Sequence, residues 1–297
     1  MTKIALLGGN GMIATRLTHY LSKNAGFQLF PLSHQQADVT NPEAMEKALA
    51  AIKPDWVINC SAYLNADRCE NNPKDSYAVN FKGGLNAAEV ARHLGAKFIQ
   101  FSTDYVFDGK TEGYSETDVP LPLNYYGLHK YMADIAILGM KSNAYVFRTA
   151  SIYGSGLGKN DIVQAFLKQL ARRALGKPNL VSDMRISITT PMFLSRVVQR
   201  FIENPPATGL YNTVAAGSTS WLEATKQAFL DLGIDLEFNA VENDNMVRVA
   251  ARPLYSWLKT DKLAALMPVP TWQEALAEQM AELKDDYLGL LKVANEA

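Results

Sequence analysis

Between Lys3 and Arg148 the chain alternates short apolar runs with stretches of helical spacing, and this alternation restricts the fold more than any other feature. Lys3–Leu7, Gln28–Ser33, Trp56–Ala62, Lys97–Ser102 and Ala144–Arg148 read as strands, mostly apolar as in sheets covered on both faces. Helices are predicted between them. Met12–Lys23 carries Ile13, Leu17, Tyr20 and Leu21 at helical spacing. Asn41-Pro42 supplies a cap and a first-turn proline for a helix running to Ile52. Pro73–Leu94 and Leu128–Met140 complete the set. Strand–helix repetition of this kind produces a parallel sheet with helices on both faces.

Beyond residue 150 the alternation loosens. Gly154-Ser155-Gly156-Leu157-Gly158 reads as a joint. Helices are predicted at Asp161–Ala174, Met192–Glu203, Ser220–Asp231 and Thr271–Leu283, and a strand at Leu210–Val214. The expectation is an α/β protein: a Rossmann-like doubly wound parallel sheet over residues 1–150, and a smaller C-terminal substrate-binding lobe over 151–297. Segments at about 205–235 are expected to return to the sheet. A length of 297 residues is sufficient for this.

Composition removes several classes of function. With 29 basic against 30 acidic residues, no basic field points to nucleic acid. No apolar run reaches the roughly 20 residues of a membrane helix, and Met1-Thr2-Lys3-Ile4 enters a strand without a signal-peptide core. Cys60 and Cys69 form neither a disulfide framework nor a metal knuckle, and Cys60 reads as a small buried hydrophobe. A cytoplasmic enzyme is expected.

The first strand runs into Leu7-Gly8-Gly9-Asn10-Gly11-Met12-Ile13-Ala14. Gly8 allows a tight turn, Gly11 lets the backbone approach a pyrophosphate at a helix N-terminus, and the small Ala14 lets that helix pack on the sheet. An acid at the end of the second strand would bind the ribose of NAD. Here Leu32-Ser33-His34-Gln35-Gln36 has none, which removes the repulsion against a 2′-phosphate. The cofactor is therefore read as NADPH or NADH, with NADPH favoured. Ser33 and His34 are placed toward the 2′-phosphate, without an arginine to clamp it. Asp38-Val39 lies beside the adenine on this reading, although Asp38 also fits a surface turn.

A second constellation follows the fourth strand: Phe101-Ser102-Thr103-Asp104-Tyr105-Val106-Phe107-Asp108-Gly109, then Tyr125-Tyr126-Gly127-Leu128-His129-Lys130. With 13 tyrosines in the chain, about one Tyr-x-x-x-Lys match is expected by chance, and Tyr255/Lys259 is another. Context separates them. Tyr126 and Lys130 share a helix face just after a strand that ends in hydroxyls, whereas Tyr255/Lys259 reads as a helix-surface pair. An ammonium beside a phenol lowers its pKa and suits it to proton transfer. Thr103, at the carboxyl end of a parallel strand, is placed to bond a substrate oxygen.

These residues resemble the extended short-chain dehydrogenase/reductase superfamily, and within it the dTDP-4-dehydrorhamnose reductase family, over nearly the whole chain. Val57-Ile58-Asn59-Cys60-Ser61-Ala62-Tyr63, Tyr77-Ala78-Val79-Asn80, Arg148-Thr149, Tyr153-Gly154 and Arg252-Pro253 with Ser256 and Leu258 all fit its pattern. Asp67 and Glu70 fall at its usual acids. Ser102 through Gly109 carries its most specific signature. Nucleotide-sugar dehydratases of the superfamily place Asp-Glu after the threonine, whereas this chain has Asp104-Tyr105. The resemblance thus implies ketone reduction rather than water elimination.

It further implies hydride transfer to the C4 ketone of a nucleotide-linked 4-keto-6-deoxy sugar, for deoxysugar and polysaccharide precursors. Tyr126 would give the proton, Lys130 support it, and Thr103 orient the carbonyl. Gly8, Asn10, Gly11, Met12, Ile13, Ser61, Ala62 and Tyr63 would line the cofactor together with Tyr126 and with Lys130 at the nicotinamide ribose, and Leu64, Ala66, Thr103, Asp104, Tyr105, Tyr126 and Ser151 would border the sugar. Three of these depart from the family: Leu64 and Ala66 replace threonine and valine, and Ser151 replaces a tryptophan. Asp183-Met184-Arg185-Ile186 likewise departs from Asp-Gln-x-Gly. The acids that hold a dimer-bridging magnesium in some members have no counterpart near Met12–Thr15, so no metal is expected. A homodimer is left open. Two alternatives remain: a non-catalytic regulatory subunit of the methionine adenosyltransferase type, and a reductase or epimerase of another nucleotide sugar.

Overall fold

The computed structural model describes residues 1–156, 161–171 and 176–293. The chain opens with β1 (Thr2–Leu7), α1 (Met12–Leu21), β2 (Phe27–Leu32), α2 (Pro42–Ile52) and β3 (Trp56–Asn59). The short helices α3 (Ala66–Asn71) and α4 (Pro73–Ser76) lead through a π-helical stretch, Tyr77–Gly83, into α5 (Gly84–His93). Next come β4 (Lys97–Thr103), a 3₁₀ turn at Asp104–Val106, α6 (Tyr125–Gly139), β5 (Ala144–Thr149) and β6 (Ser151–Ile152). The later part carries α7 (Ile162–Ala171), β7 (Asn179–Val181), β8 (Ile188–Thr189), α8 (Pro191–Glu203), β9 (Gly209–Asn212) and α9 (Trp221–Asp231). It ends with β10 (Asn239–Val241), α10 (Asp261–Ala264) and α11 (Trp272–Val293).

The main sheet runs β2-β1-β3-β4-β5-β9, every neighbouring pair parallel. The expected parallel α/β sheet is therefore present. Successive side chains of a strand point to opposite faces, and β1 divides accordingly. Ile4 and Leu6 pack with Leu17 of α1 and Phe193 and Val197 of α8, whereas Ala5 and Leu7 pack with Met45 of α2 and Ala87 of α5. After β2 the chain crosses to the other side of β1 to form β3. This reversal leaves a crevice at the carboxyl ends of β1 and β3, the usual ligand position in open parallel sheets.

A separate apolar cluster joins α7, α9 and α11 through Leu167, Phe229 and Leu276. Two small pairs, β10 with β7 and β6 with β8, accompany it. Among the described residues no helix is long and apolar enough to cross a membrane.

Several boundaries differ from expectation. The predicted helix at Pro73–Leu94 is interrupted by the π-helical stretch that contains Asn80. The helix expected from Leu128 begins three residues earlier, because the Asn124 side chain accepts from Gly127 N at 2.9 Å and caps it. Tyr255 and Lys259 are not on a helix. They lie in an extended segment in which Tyr255 bridges Arg185 and Lys259 N donates to the Tyr114 carbonyl at 2.8 Å. The helix expected from Thr271 extends to Val293. Leu157 and Gly158 of the glycine-rich joint lie outside the described residues, as do the last residues of the helix expected to reach Ala174.

Candidate active site

A cavity of 660 Å³ opens at the crevice between β1 and β3, within the range of small-molecule and cofactor sites. Its floor is the turn between β1 and α1, with Gly8, Asn10, Gly11, Met12 and Ile13. Gly8 has φ of +70°, and a Cβ there would lie 2.8 Å from Ser61 Oγ, so a side chain would strain the turn and fill the cradle. Gly11 precedes α1 without a side-chain cap, and the first turn of the helix holds no acid. The leading N–H groups and the positive end of the helix dipole are thus available to an anion. The residues fit a dinucleotide pyrophosphate.

One wall follows β2. His34, Gln35, Asp38 and Val39 line it, and His34 Nδ1 lies 3.6 Å from Asp38 Oδ1. Ser33 falls outside this lining. Its backbone N–H donates to Gln36 Oε1 at 2.9 Å. The opposite wall follows β3, with Cys60, Ser61, Ala62, Tyr63 and Leu64. Two asparagines hold this wall. Ser61 N donates to Asn59 Oδ1 at 3.0 Å, and the Asn80 amide both accepts from Tyr63 N and donates to the Tyr63 carbonyl, each at 2.9 Å. The π-helical stretch presents that amide, in keeping with the association of such bulges with functional sites. Cys60, expected to be buried, borders the cavity, and its thiol is pushed upward in pKa by burial.

Thr103, Tyr126 and Lys130 all line this cavity, and the Thr103 hydroxyl contacts the Tyr126 phenol. The packing that brings α6 to β4 is tight: a Cβ at Gly127 would lie 2.0 Å from the Tyr105 carbonyl oxygen. Only glycine lets the helix sit this close and deliver Tyr126 beside Thr103. Asn124 fixes the same end, donating to the Ala251 carbonyl at 2.8 Å, while Glu70 accepts from Tyr125 N at 3.1 Å.

Burial raises the pKa of the Tyr126 phenol, and contact with the Thr103 hydroxyl opposes that rise. The Lys130 ammonium donates to the Phe101 carbonyl. Its pKa is lowered to about 8, chiefly by burial, against the opposing charge of Asp134. The Tyr126 pKa is thus raised by burial rather than lowered as expected, so the phenol stays protonated across the neutral range, and the Lys130 ammonium is held at the Phe101 carbonyl. A protonated phenol is the form needed to donate a proton.

Around the corner a second cavity of 420 Å³ adjoins the first, and Leu64, Thr103, Tyr126 and Ala150 border both. Ala66, Asp104, Tyr105 and Ser151 line the outer one, as do Asn65, Trp221, Arg248 and Arg252, to which the sequence reading assigned no site role. Asp104 is 3 % exposed, and both of its oxygens are engaged. Thr103 Oγ1 donates to Oδ1 at 3.2 Å and Ser256 Oγ to Oδ2 at 2.6 Å. Burial pushes its carboxyl up to about 7, opposed by these hydrogen bonds. The Tyr105 ring meets Tyr126 edge-on at 6.1 Å, with the Arg252 guanidinium 5.8 Å from its centroid on another side. Arg252 pairs with Asp67 at 3.1 Å. Trp221, the first residue of α9, is positioned by a capping box between Ser220 and Glu223. It brings an aromatic ring to the pocket that Ser151 also lines.

Among the described residues no group of three or more His, Cys, Asp or Glu side chains is arranged to hold a metal. A family model described as the RmlD substrate binding domain matches residues 2–285. The chain is 31% identical over 284 residues to a dTDP-4-dehydrorhamnose reductase from Mycolicibacterium smegmatis, covering 94% of this chain and 85% of the relative. It is 29% identical over 287 residues to the spore coat polysaccharide biosynthesis protein SpsK of Bacillus subtilis, covering 95% of this chain and 98% of that protein. A solved dTDP-4-dehydrorhamnose reductase from Bacillus anthracis, in complex with NADP, superposes with a TM-score of 0.88 at 27% identity, covering 95% of this chain and all of the other.

Proposed function

The chain belongs to the RmlD substrate binding domain family, and on that premise we propose that it is an NADPH-dependent reductase of the C4 ketone in a nucleotide-linked 4-keto-6-deoxy sugar. The observation that carries the reading is that Thr103 and Tyr126 stand where the cofactor-sized and outer cavities join, with Lys130 on the wall of the first. The named reductases among its relatives and the NADP-bound reductase of similar fold support both the reaction and the cofactor.

NADPH, when bound, supplies the hydride. The chain's own residues do the rest. The β1–α1 turn and the uncapped start of α1 hold the pyrophosphate, and His34 and Asp38 border the adenosine end. Thr103 orients the ketone. As the hydride reaches C4, the carbonyl electron pair moves to oxygen, and Tyr126 gives its phenolic proton to that oxygen. Lys130 lowers the energy of the resulting phenolate through its positive charge. Tyr105 stands where a dehydrating enzyme carries a glutamate, so no side chain there removes the proton that elimination requires.

In this reading residues 1–150 together with β9 hold the cofactor, and the later lobe covers the sugar. Leu64, Ala66, Ser151 and Trp221 shape the sugar pocket. The enzyme acts in the cytoplasm, where NADPH and nucleotide sugars are present. A regulatory subunit would have no need of the proton-donating set, which favours the enzyme.

The test is to mix purified protein with NADPH or NADH and a panel of 4-keto-6-deoxy nucleotide sugars and to follow loss of nicotinamide absorbance. Turnover with NADPH that disappears in Tyr126→Phe is expected. Tight NADPH binding without turnover of any keto sugar would overturn the reading in favour of a regulatory role.

A further inference from the structure

Arg248 and Arg252 are the two cationic side chains among the described residues that line the outer cavity, and they differ in how they are held. Arg252 is neutralised. It pairs with Asp67 at 3.1 Å and donates to the Ala250 carbonyl at 2.7 Å. Arg248 is half-buried in the same cavity, and among the described residues no carboxylate lies within ion-pairing distance of it. Its one hydrogen bond here is Nη1 donating to the neutral Asn243 side chain at 2.8 Å. Burial depresses its pKa and the neighbouring Arg252 charge depresses it further. A guanidinium kept from full solvation, beside a second one and with Asp67 and Asp183 acting on it only from beyond ion-pairing distance, favours an anionic ligand.

The backbone around it is fixed. Asp67 Oδ1 accepts from Val249 N at 3.1 Å and from Ala250 N at 2.8 Å, while its other oxygen holds Arg252. Asn124, at the start of α6, takes the Ala251 carbonyl. The segment carrying Arg248 is therefore tied at two points to the elements that deliver Tyr126. A ketone held at the junction by Thr103 and Tyr126 directs the remainder of its molecule into this outer cavity.

We propose that Arg248 is a specificity-determining residue that binds the diphosphate of the nucleotide-linked substrate, with the Asp67–Arg252 pair holding it in place. This rests on the sugar-nucleotide reading above and adds to it the residue that reads the substrate's charge. A guanidinium bonds phosphate oxygens through two parallel N–H groups, which a lysine cannot reproduce.

The experiment is calorimetric binding of thymidine diphosphate, uridine diphosphate, thymidine and inorganic phosphate to the NADP-saturated protein and to its Arg248→Met and Arg248→Lys variants. Loss of one charge-assisted contact predicts roughly ten- to hundredfold weaker diphosphate binding by Arg248→Met, partly restored by Arg248→Lys. Thymidine and NADP affinities should be unchanged, which separates the substrate's phosphates from the cofactor's and from misfolding. Equal diphosphate binding by wild type and Arg248→Met, an equal loss for thymidine, or failure of the wild type to bind either diphosphate would overturn the proposal. Arg248-dependent diphosphate binding without keto-sugar turnover would leave it standing and overturn the reductase reading instead.

Discussion

Ser256 Oγ donates to Asp104 Oδ2 at 2.6 Å, joining the C-terminal segment to the residue that follows Thr103. The other Asp104 oxygen accepts from Thr103, so one buried carboxyl organises the hydroxyl beside Tyr126. Burial holds this carboxyl up to about 7, above the roughly 3.9 of an unfolded aspartate. Between those values the folded state binds the extra proton. Its contribution to stability is therefore full below about pH 4 and is lost as pH rises toward 7, by about 1.4 kcal/mol per pH unit at most. Urea unfolding across this range should show Asp104→Asn losing that slope relative to wild type. Identical pH profiles for the two proteins would contradict the assignment.

Removing the Tyr126 hydroxyl should leave NADPH binding nearly intact. Tyr126→Phe is expected to lower kcat by roughly 10²–10⁴-fold, the usual range for loss of a positioned acid. A fluorescence titration with NADPH alongside steady-state rates checks both halves. Weakened cofactor binding with kcat unchanged would assign Tyr126 to binding instead.

The alkaline limb of kcat should follow Lys130 rather than Tyr126. Burial and the opposing charge of Asp134 set the ammonium at about 8, whereas the phenol is raised further. Activity in the reducing direction should therefore decline as pH rises through about 8. Lys130→Arg, which keeps its charge, should lose that limb even if its overall rate is lower. A limb that persists unchanged in the arginine variant would assign it to another group.

Gly127→Ala is expected to displace α6, because its methyl group would meet the Tyr105 carbonyl oxygen at 2.0 Å. Overpacking of this kind costs about 1–3 kcal/mol. Thermal unfolding should register that loss, together with a fall in kcat larger than the loss of folded protein accounts for. A variant with wild-type Tm and kcat would show that the close approach does not place Tyr126.

Trp221→Ala should raise KM for the sugar substrate while leaving NADPH affinity unchanged, because the indole lines the outer cavity alone. Loss of an aromatic contact predicts a change of roughly three- to tenfold. An unchanged KM would remove Trp221 from the substrate pocket.

What could be read before folding was local. Asn41 followed by Pro42 marked the start of α2, because a cap and a first-turn proline act within a few residues. The glycine pattern after β1 was legible because its physical demand, a turn with positive φ at a helix start, is equally local. The start of α6 was harder to read. Pro120 and Pro122 suggest a loop, and the Asn124 cap that ends it is a single residue with many other uses. The Lys130 ammonium is held by the Phe101 carbonyl, 29 positions away. Arg248 enters the site only because Asp67 holds its neighbours from more than 180 positions earlier. Neither relationship leaves a trace in spacing or periodicity.

The most direct measurement of the central claim is the fate of the hydride. NADPH carrying deuterium at the nicotinamide C4 position, turned over with a dTDP-linked 4-keto-6-deoxy sugar, should yield a product one mass unit heavier. NMR should place the deuterium on C4 of the sugar, and Tyr126→Phe should slow its appearance without moving it. A product without deuterium, or with it at another carbon, would contradict reduction of a C4 ketone at this site.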